Sequence, residues 1–340
     1  MRPVLAFLAE NRERLRLDRY LGREVSAVML TPRFPASRHV VVLLTPVGRV
    51  EPVLVAKVPR LEDDTGGLER EAASLRAVAS RTELIATVPR VVAFEEYRRR
   101  SILLETWLAG TPVSAATIHR RTDRSVSTVL GWLHKLAEGG EGKVRPAEDW
   151  YPRLVEEPLR RFAALFPAGG AEPELVERTL ELLTPLAGSQ MQLVMEHGDL
   201  NPPNLIRLRN GRLGVVDWEA AEPEGLPFFD LFFFLSFVTF TLRGARTVPE
   251  HLAALDDDFL RRSRWQPRLE EYADQLSLDR ALVPPLFIAC WARYTAMLLF
   301  RVVGGDTADE ETRAWLTSTR FYAIWRHVVA RAAKVEKLLS

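Results

Sequence analysis

The apolar pattern of this chain changes its period once, and that change limits the folds open to it. Up to Thr106 the pattern consists of short apolar runs: Val25–Leu30, His39–Thr45 (HVVVLLT), Pro52–Val58 (PVLVAKV), Arg90–Glu95 and Ser101–Thr106. These read as five strands, and alternation in the third puts Val53, Val55 and Lys57 on one face. A single helical stretch, Gly67–Ala79, interrupts them, with Leu68, Ala72, Leu75 and Val78 at helical spacing. After Trp107 the spacing becomes helical in Ser125–Ala137, Pro158–Leu165, Glu174–Leu186, Leu282–Val303 and Ala314–Leu339. In the last of these, Phe321, Trp325, Val328, Val329, Ala332 and Val335 share a face. A β-rich front with one main helix and a helical back predict an α+β fold of two lobes, residues 1–107 and 108–340, hinged near Glu105–Gly110. A cleft at such a hinge is a common place for a ligand.

Charge and cysteine content remove several function classes. The 340 residues carry 46 Lys and Arg against 45 Asp and Glu, a net charge of +1. That balance gives no electrostatic case for nucleic acid or an anionic membrane, and it weakens the case for a polycationic substrate. Cys290 is the sole cysteine, so no disulfide forms within the chain and no cysteine-based zinc site exists. A cytoplasmic location is the expectation. The run Pro3–Leu8 is too short for a signal-peptide core. The most apolar stretch, Pro227–Leu242 (PFFDLFFFLSFVTFTL), is shorter than the ~20 residues of a membrane span, and Asp230 interrupts it. A helix buried on all sides is the expected outcome, with a membrane-dipping helix as the alternative.

The segment Leu193–Leu235 carries the chemistry. His197-Gly198-Asp199-Leu200-Asn201-Pro202-Pro203-Asn204 is a polar loop whose two prolines exclude a helix interior. Leu205–Leu208 reads as a strand, Asn210-Gly211 as a hairpin turn, and Leu213–Val216 as the returning strand, with Asp217 at its end. A hairpin sets the start of one strand beside the end of the other, so Asn204 and Asp217 should lie together with Asp199 near. Two carboxylates and an amide, all hard oxygen donors, suit Mg²⁺ and a phosphate chain.

The spacing His197-x-Asp199-x-x-x-x-Asn204 resembles the catalytic loop of kinases, and Asp217-Trp218-Glu219 resembles their metal-binding D-F-G. The H-G-D, V-V-D-W-E and D-L elements are most similar to the aminoglycoside-phosphotransferase and choline-kinase-like family, over most of the chain. The resemblance implies a two-lobed protein-kinase-like fold and a small-molecule kinase moving the γ-phosphoryl of ATP or GTP onto a hydroxyl. It implies that Asp199 is the catalytic base and that Asn204 and Asp217 hold Mg²⁺. It implies that Lys57 contacts the α- and β-phosphates and pairs with Glu71, with Glu69 as the rival partner. Val55 and the hinge residues Glu105 and Trp107 would border the nucleotide. Asp230 would accept hydrogen bonds from the catalytic-loop backbone, Trp218 would pack, and Glu219 would face either a second metal or the substrate.

The departures from the family narrow the reading. No glycine-rich loop joins the first two strands; Arg33–Arg38 stands there instead. Gly198 replaces the arginine that docks a phosphorylated activation loop in protein kinases. Asp230 follows Asp217 by only thirteen positions, which leaves little room for a peptide platform. The expected partner is a small hydroxyl compound, with no nucleic acid and no integral membrane span. The acidic run Asp256–Asp258 reads as a solvated helix cap, and Arg293 and Arg301 as candidates to face substrate. The alternative function is a nucleotide-binding pseudokinase or scaffold without turnover.

Overall fold

The computed structural model describes residues 1–22, 24–31, 37–61, 64–138, 144–262, 264–303 and 307–338. Of the segment expected to take the place of a glycine-rich loop, all but Ser37 and Arg38 lies outside the described residues. The chain forms two compact units: Met1–Val113 with Pro203–Ala221, and Ser114–Pro202 with Glu222–Ser340. The first unit therefore runs past the expected division after Trp107 and takes in the hairpin. The physical reason is strand pairing, described below.

In the first unit, β1 (Val25–Leu30), β2 (His39–Pro46), β3 (Leu54–Pro59), β4 (Val91–Tyr97) and β5 (Arg100–Thr106) form an antiparallel sheet in the order β1-β2-β3-β5-β4. One face buries Val42, Leu44, Leu54, Ala56, Ile102 and Leu104 against Val4, Phe7 and Leu8 of helix α1 (Arg2–Glu10). The opposite face packs Leu103 on Leu68 and Ala72 of helix α2 (Gly66–Ala79). In β2 the buried residues alternate, Val42 and Leu44 facing the α1 side and Val41 and Leu43 only half-buried on the other. The apolar N-terminal run, read from sequence only as too short for a signal peptide, is thus the buried side of α1.

A smaller sheet completes this unit. The strand Leu205–Leu208 pairs with Leu213–Val215 on one edge and with β6 (Gly110–Pro112) on the other. Gly211 has φ +82° and donates to the Leu208 carbonyl at 2.9 Å, closing the turn that Asn210-Gly211 signalled. Pairing with β6 and a bond from Val215 N–H to the Thr87 carbonyl (2.8 Å) hold the hairpin in the first unit.

The second unit is mostly helical. The helix Phe229–Arg243 is buried from Phe229 to Phe240 apart from half-buried Phe237, with Phe232 packed on Phe287 (ring centroids 4.9 Å apart) of the helix Val283–Val302. Among the described residues only Arg280–Val302 is long and apolar enough to cross a membrane, and 89% of its apolar window is buried inside the protein. Three details differ from the sequence expectation. The helix expected over Glu174–Leu186 ends at Leu182 and restarts at Thr184, because Pro185 cannot donate the amide a continuous helix needs. The helix expected over Ala314–Leu339 is three: Glu310–Ser318, Arg320–Ala330 and Ala332–Val335. Thr319 is extended there, and its hydroxyl caps the middle helix by accepting from Tyr322 N–H. The run Asp256–Asp258 is not a solvated cap: Asp256 and Asp258 are buried, Asp256 pairing with His327 and Arg331 and Asp258 with Arg243.

Gly110 tests the pairing that recruits the hairpin. A Cβ there would sit 2.5 Å from the Arg207 carbonyl oxygen, a backbone atom with nowhere to go. Gly110→Ala should therefore destabilise the protein by about 1–3 kcal/mol, read as a lowered denaturation midpoint. An unchanged midpoint would show that β6 does not pack as described.

Candidate active site

The first unit buries an ammonium among carboxylates. Alternation along β3 sends Leu54 and Ala56 into the core and turns Val55 and Lys57 to the other face, where both are buried. Lys57 Nζ donates to Glu71 Oε1 at 2.6 Å and to Asp217 Oδ1 at 2.9 Å, and it lies 4.0 Å from Glu105. Burial works against the lysine charge, but Asp217, Glu71 and Glu105 outweigh it and raise its pKa well above the ordinary value. Glu71 is fully buried and also accepts from Trp218 N–H at 3.0 Å. Glu69 is exposed and accepts from Thr65 instead.

The hairpin brings its two ends to this cluster. Val216 N–H donates to the Asn204 carbonyl at 3.0 Å, so Asn204 lies beside the residue preceding Asp217. Asp217 has φ +70°, a conformation uncommon for a residue with a side chain and one that collects at functional sites. Trp218 is fully buried and its indole donates to the Val215 carbonyl, the packing role expected of it. Glu219 pairs with His39 Nδ1 at 2.8 Å, and His39 Nε2 is 3.9 Å from Asp217. One donor atom each from His39, Asp217 and Glu219 lie within 4.8 Å of one another. Burial opposes a charge on His39, but Glu219 and Asp217 override it and Lys57, and its pKa is raised.

This donor set fits a divalent cation. Hard carboxylate oxygens dominate it, Asp217 keeps a third of its side chain exposed, and Glu71 and Glu105 each bury a carboxylate oxygen with no hydrogen-bond donor among the described residues. Asn204, Asp217 and Glu219 would be the holders.

In the second unit the loop around Asp199 is fixed from beneath. Buried Asp230 accepts the N–H groups of His197 (2.7 Å) and Gly198 (2.9 Å). Burial and nearby Glu196 push the Asp230 pKa up to about 8, against the pull of those two amides. His197 Nδ1 accepts from Asp199 N–H at 3.3 Å. Asp199 is half-buried, and its Oδ1 accepts from Asn201 (2.9 Å) and from the Tyr294 hydroxyl (3.4 Å). Burial, then Asp199, push the tyrosine pKa up, so it stays a donor.

Trp107, expected to border the nucleotide, donates its N–H to the Val53 carbonyl at 3.0 Å beside the β3–β5 pairing. One sequence expectation needs correction: Arg293 was a candidate to face substrate, but it is buried and bonded to Glu196 at 2.9 Å. Sequence reasoning missed His39, Tyr294 and the side chain of Glu105. The two in the sheet have a signal in the strand registers: Val55 is opposite Glu105 and Val41 opposite Lys57, so Glu105 and His39 share the lysine's face.

The model of the phosphotransferase enzyme family matches residues 35–272. Among solved structures, the chain is similar to choline kinase LicA from Streptococcus pneumoniae, with a TM-score of 0.57 and 14% identity over 98% of this chain and 99% of that one. A Plasmodium vivax ethanolamine kinase gives a TM-score of 0.53 and 10% identity over 89% and 83%. The GDP and kanamycin complex of APH(2")-IIia gives a TM-score of 0.53 and 14% identity over 96% and 99%. At these identities the likeness shows the fold, that of protein kinases. No curated protein sequence matches the chain.

The lysine cluster makes a pH-dependent prediction. One ammonium cannot hold two buried carboxylates and Asp217 all ionised, and Glu105, the farthest from Nζ, has its pKa raised to about 8 by burial, with Lys57 opposing and Glu71 and Asp217 assisting. The folded protein then keeps a proton that the unfolded chain releases at an ordinary carboxylate pKa. Stability from this group is present at low pH and lost as pH rises from about 5 to about 8. Glu105→Gln cannot titrate. Across that window wild type should lose at least about 1 kcal/mol of stability relative to Glu105→Gln. Parallel stability curves for the two proteins would contradict this.

Proposed function

The chain belongs to the phosphotransferase enzyme family, and on that premise we propose that it transfers the γ-phosphoryl group of ATP or GTP to a hydroxyl of a small molecule. The observation that carries the proposal is the Lys57 ammonium, buried and held between Glu71 and a positive-φ Asp217 at the end of the hairpin. A lysine kept charged in this way meets the α- and β-phosphates without having to be ordered first. Val55 borders the nucleotide on the same face, and Glu105 bounds the lysine's pocket at the end of β5. Asn204, Asp217 and Glu219 would hold Mg²⁺, with His39 beside the two carboxylates. The ion neutralises and orients the phosphates when bound. A GDP-bound relative supports GTP as a donor beside ATP.

Asp199 orients the acceptor hydroxyl and takes its proton. The acceptor oxygen forms a bond to the γ-phosphorus while the bond from that phosphorus to the bridging oxygen breaks, and the nucleoside diphosphate leaves. The proton moves late, to the Asp199 carboxylate. Tyr294 and Asn201, which donate to Oδ1, fix the orientation of the carboxylate toward the hydroxyl.

Asp199 therefore acts on the transition state and adds little to nucleotide affinity. Asp199→Asn should bind ATP with Mg²⁺ as wild type does, by calorimetry, while turnover drops by about 10²–10⁴. Slow ATP hydrolysis serves as the assay until the acceptor is known. Full activity in Asp199→Asn would reject it as the base, and loss of nucleotide binding would mean that it serves the metal.

A further inference from the structure

The second unit holds, near Asp199, a guanidinium that makes no ion pair among the described residues. Arg320 opens the helix Arg320–Ala330, and its guanidinium lies over the rings of Phe237 (4.6 Å) and Phe321 (4.9 Å). Tyr294 connects this stack to the loop. Its hydroxyl donates to Asp199, and its ring centroid is 4.7 Å from that of Phe321 and 4.4 Å from that of Phe233. Among the described residues, no carboxylate ion-pairs with Arg320 and no hydrogen bond satisfies its N–H groups. Neighbouring His251 does not compensate: burial, then Arg320 itself, push its pKa down, which keeps it neutral.

That arrangement is unlike the buried charges of this unit that have a partner of opposite sign. Arg293 is paired with Glu196, Arg243 with Asp258, and Asp256 with His327 and Arg331. Arg320 is half-buried, and a partly desolvated guanidinium without a partner carries a cost that stacking on two rings offsets only in part. Burial lowers the Arg320 pKa, and nearby Asp199 works against that fall. The guanidinium, the tyrosine and the carboxylate thus lie within the compass of one small molecule. A guanidinium fork is shaped for bidentate contact with a carboxylate or phosphate.

We propose that the acceptor carries an anionic group, a carboxylate or a phosphate, which docks on Arg320 while its hydroxyl meets Asp199. This rests on the kinase reading above and narrows it to one substrate class. Amino sugars and quaternary ammonium alcohols place a positive charge where Arg320 already stands, so the site discriminates against them. The rings of Phe237, Phe321 and Tyr294 supply an apolar wall for the body of the acceptor.

Titration of the full chain with phenyl phosphate, benzoate and benzyltrimethylammonium tests the proposal. Binding is measured by calorimetry in wild type, Arg320→Ala and Arg320→Lys. ATP with Mg²⁺ is titrated into wild type in parallel. At least one anion should bind wild type more tightly than the ammonium probe does, and lose about tenfold or more in Arg320→Ala. Arg320→Lys, which keeps the charge without the fork, should fall between. Phenyl phosphate against benzoate tells phosphate from carboxylate. If Arg320→Ala has no melting transition, Arg320→Gln takes its place. Binding of neither anion, tighter binding of the ammonium probe, or anion affinity unchanged without Arg320 would overturn the proposal. Should ATP with Mg²⁺ fail to bind wild type, the kinase reading itself falls; nucleotide binding without the anion preference removes the acceptor class alone.

Discussion

An ammonium buried among carboxylates organises the first unit. Lys57 comes from β3, Glu105 from β5, Glu71 from α2 and Asp217 from the end of the hairpin, so four separate pieces of chain meet at one positive charge. Taking such charges out of water is unfavourable, and removing one partner from a buried pair typically costs about 3–5 kcal/mol because the remaining charge is uncompensated. That sensitivity makes the lysine's position strict. Glu71 adds a second tie by accepting the Trp218 N–H, which fixes the backbone next to Asp217 in its positive-φ conformation. The arrangement resembles a cation held ready for an anion chain more than a device for stability.

The second unit solves a related problem with the opposite sign. The loop before Asp199 turns through Gly198 at φ +79°, and the amides freed by that turn are taken by Asp230. Beneath it Glu196 accepts from Arg293 and from Leu226 N–H. A Cβ on Gly225 would meet Glu196 at 2.5 Å, so the backbone approaches this acid more closely than a side chain allows. Buried carboxylates here serve as acceptors for backbone amides, and the half-buried Asp199 accepts from Asn201 and Tyr294.

The parts of the site governed by local rules were legible from sequence. Asn210-Gly211 between two apolar runs marks the hairpin, and alternation in PVLVAKV puts Lys57 on the face with Val55. Helical spacing left Glu71 and Glu69 open, and only the docking of α2 distinguishes the buried acid from the solvated one. What was not legible depends on pairing between distant segments. Glu105 and His39 share the lysine's face through strand registers that no single strand reveals. Arg320 and Tyr294 approach Asp199 from helices about a hundred residues downstream. The acidic run Asp256–Asp258 reads as solvated because its partners, Arg243, His327 and Arg331, lie in other helices. Thr319 serves equally as a helix interior residue or an N-cap in sequence, and the break it makes follows from tertiary packing.

Calorimetric titration of the full chain with ATP, once with Mg²⁺ and once with the metal chelated, bears most directly on the nucleotide site. Saturable binding at a single site, weakened by about tenfold or more when the metal is removed, is the predicted result. GTP in place of ATP should give the same dependence on metal even if its affinity differs. Failure of both nucleotides to bind, or equal affinity with and without metal, would contradict a site in which Asn204 and Asp217 hold the ion and Lys57 the phosphates.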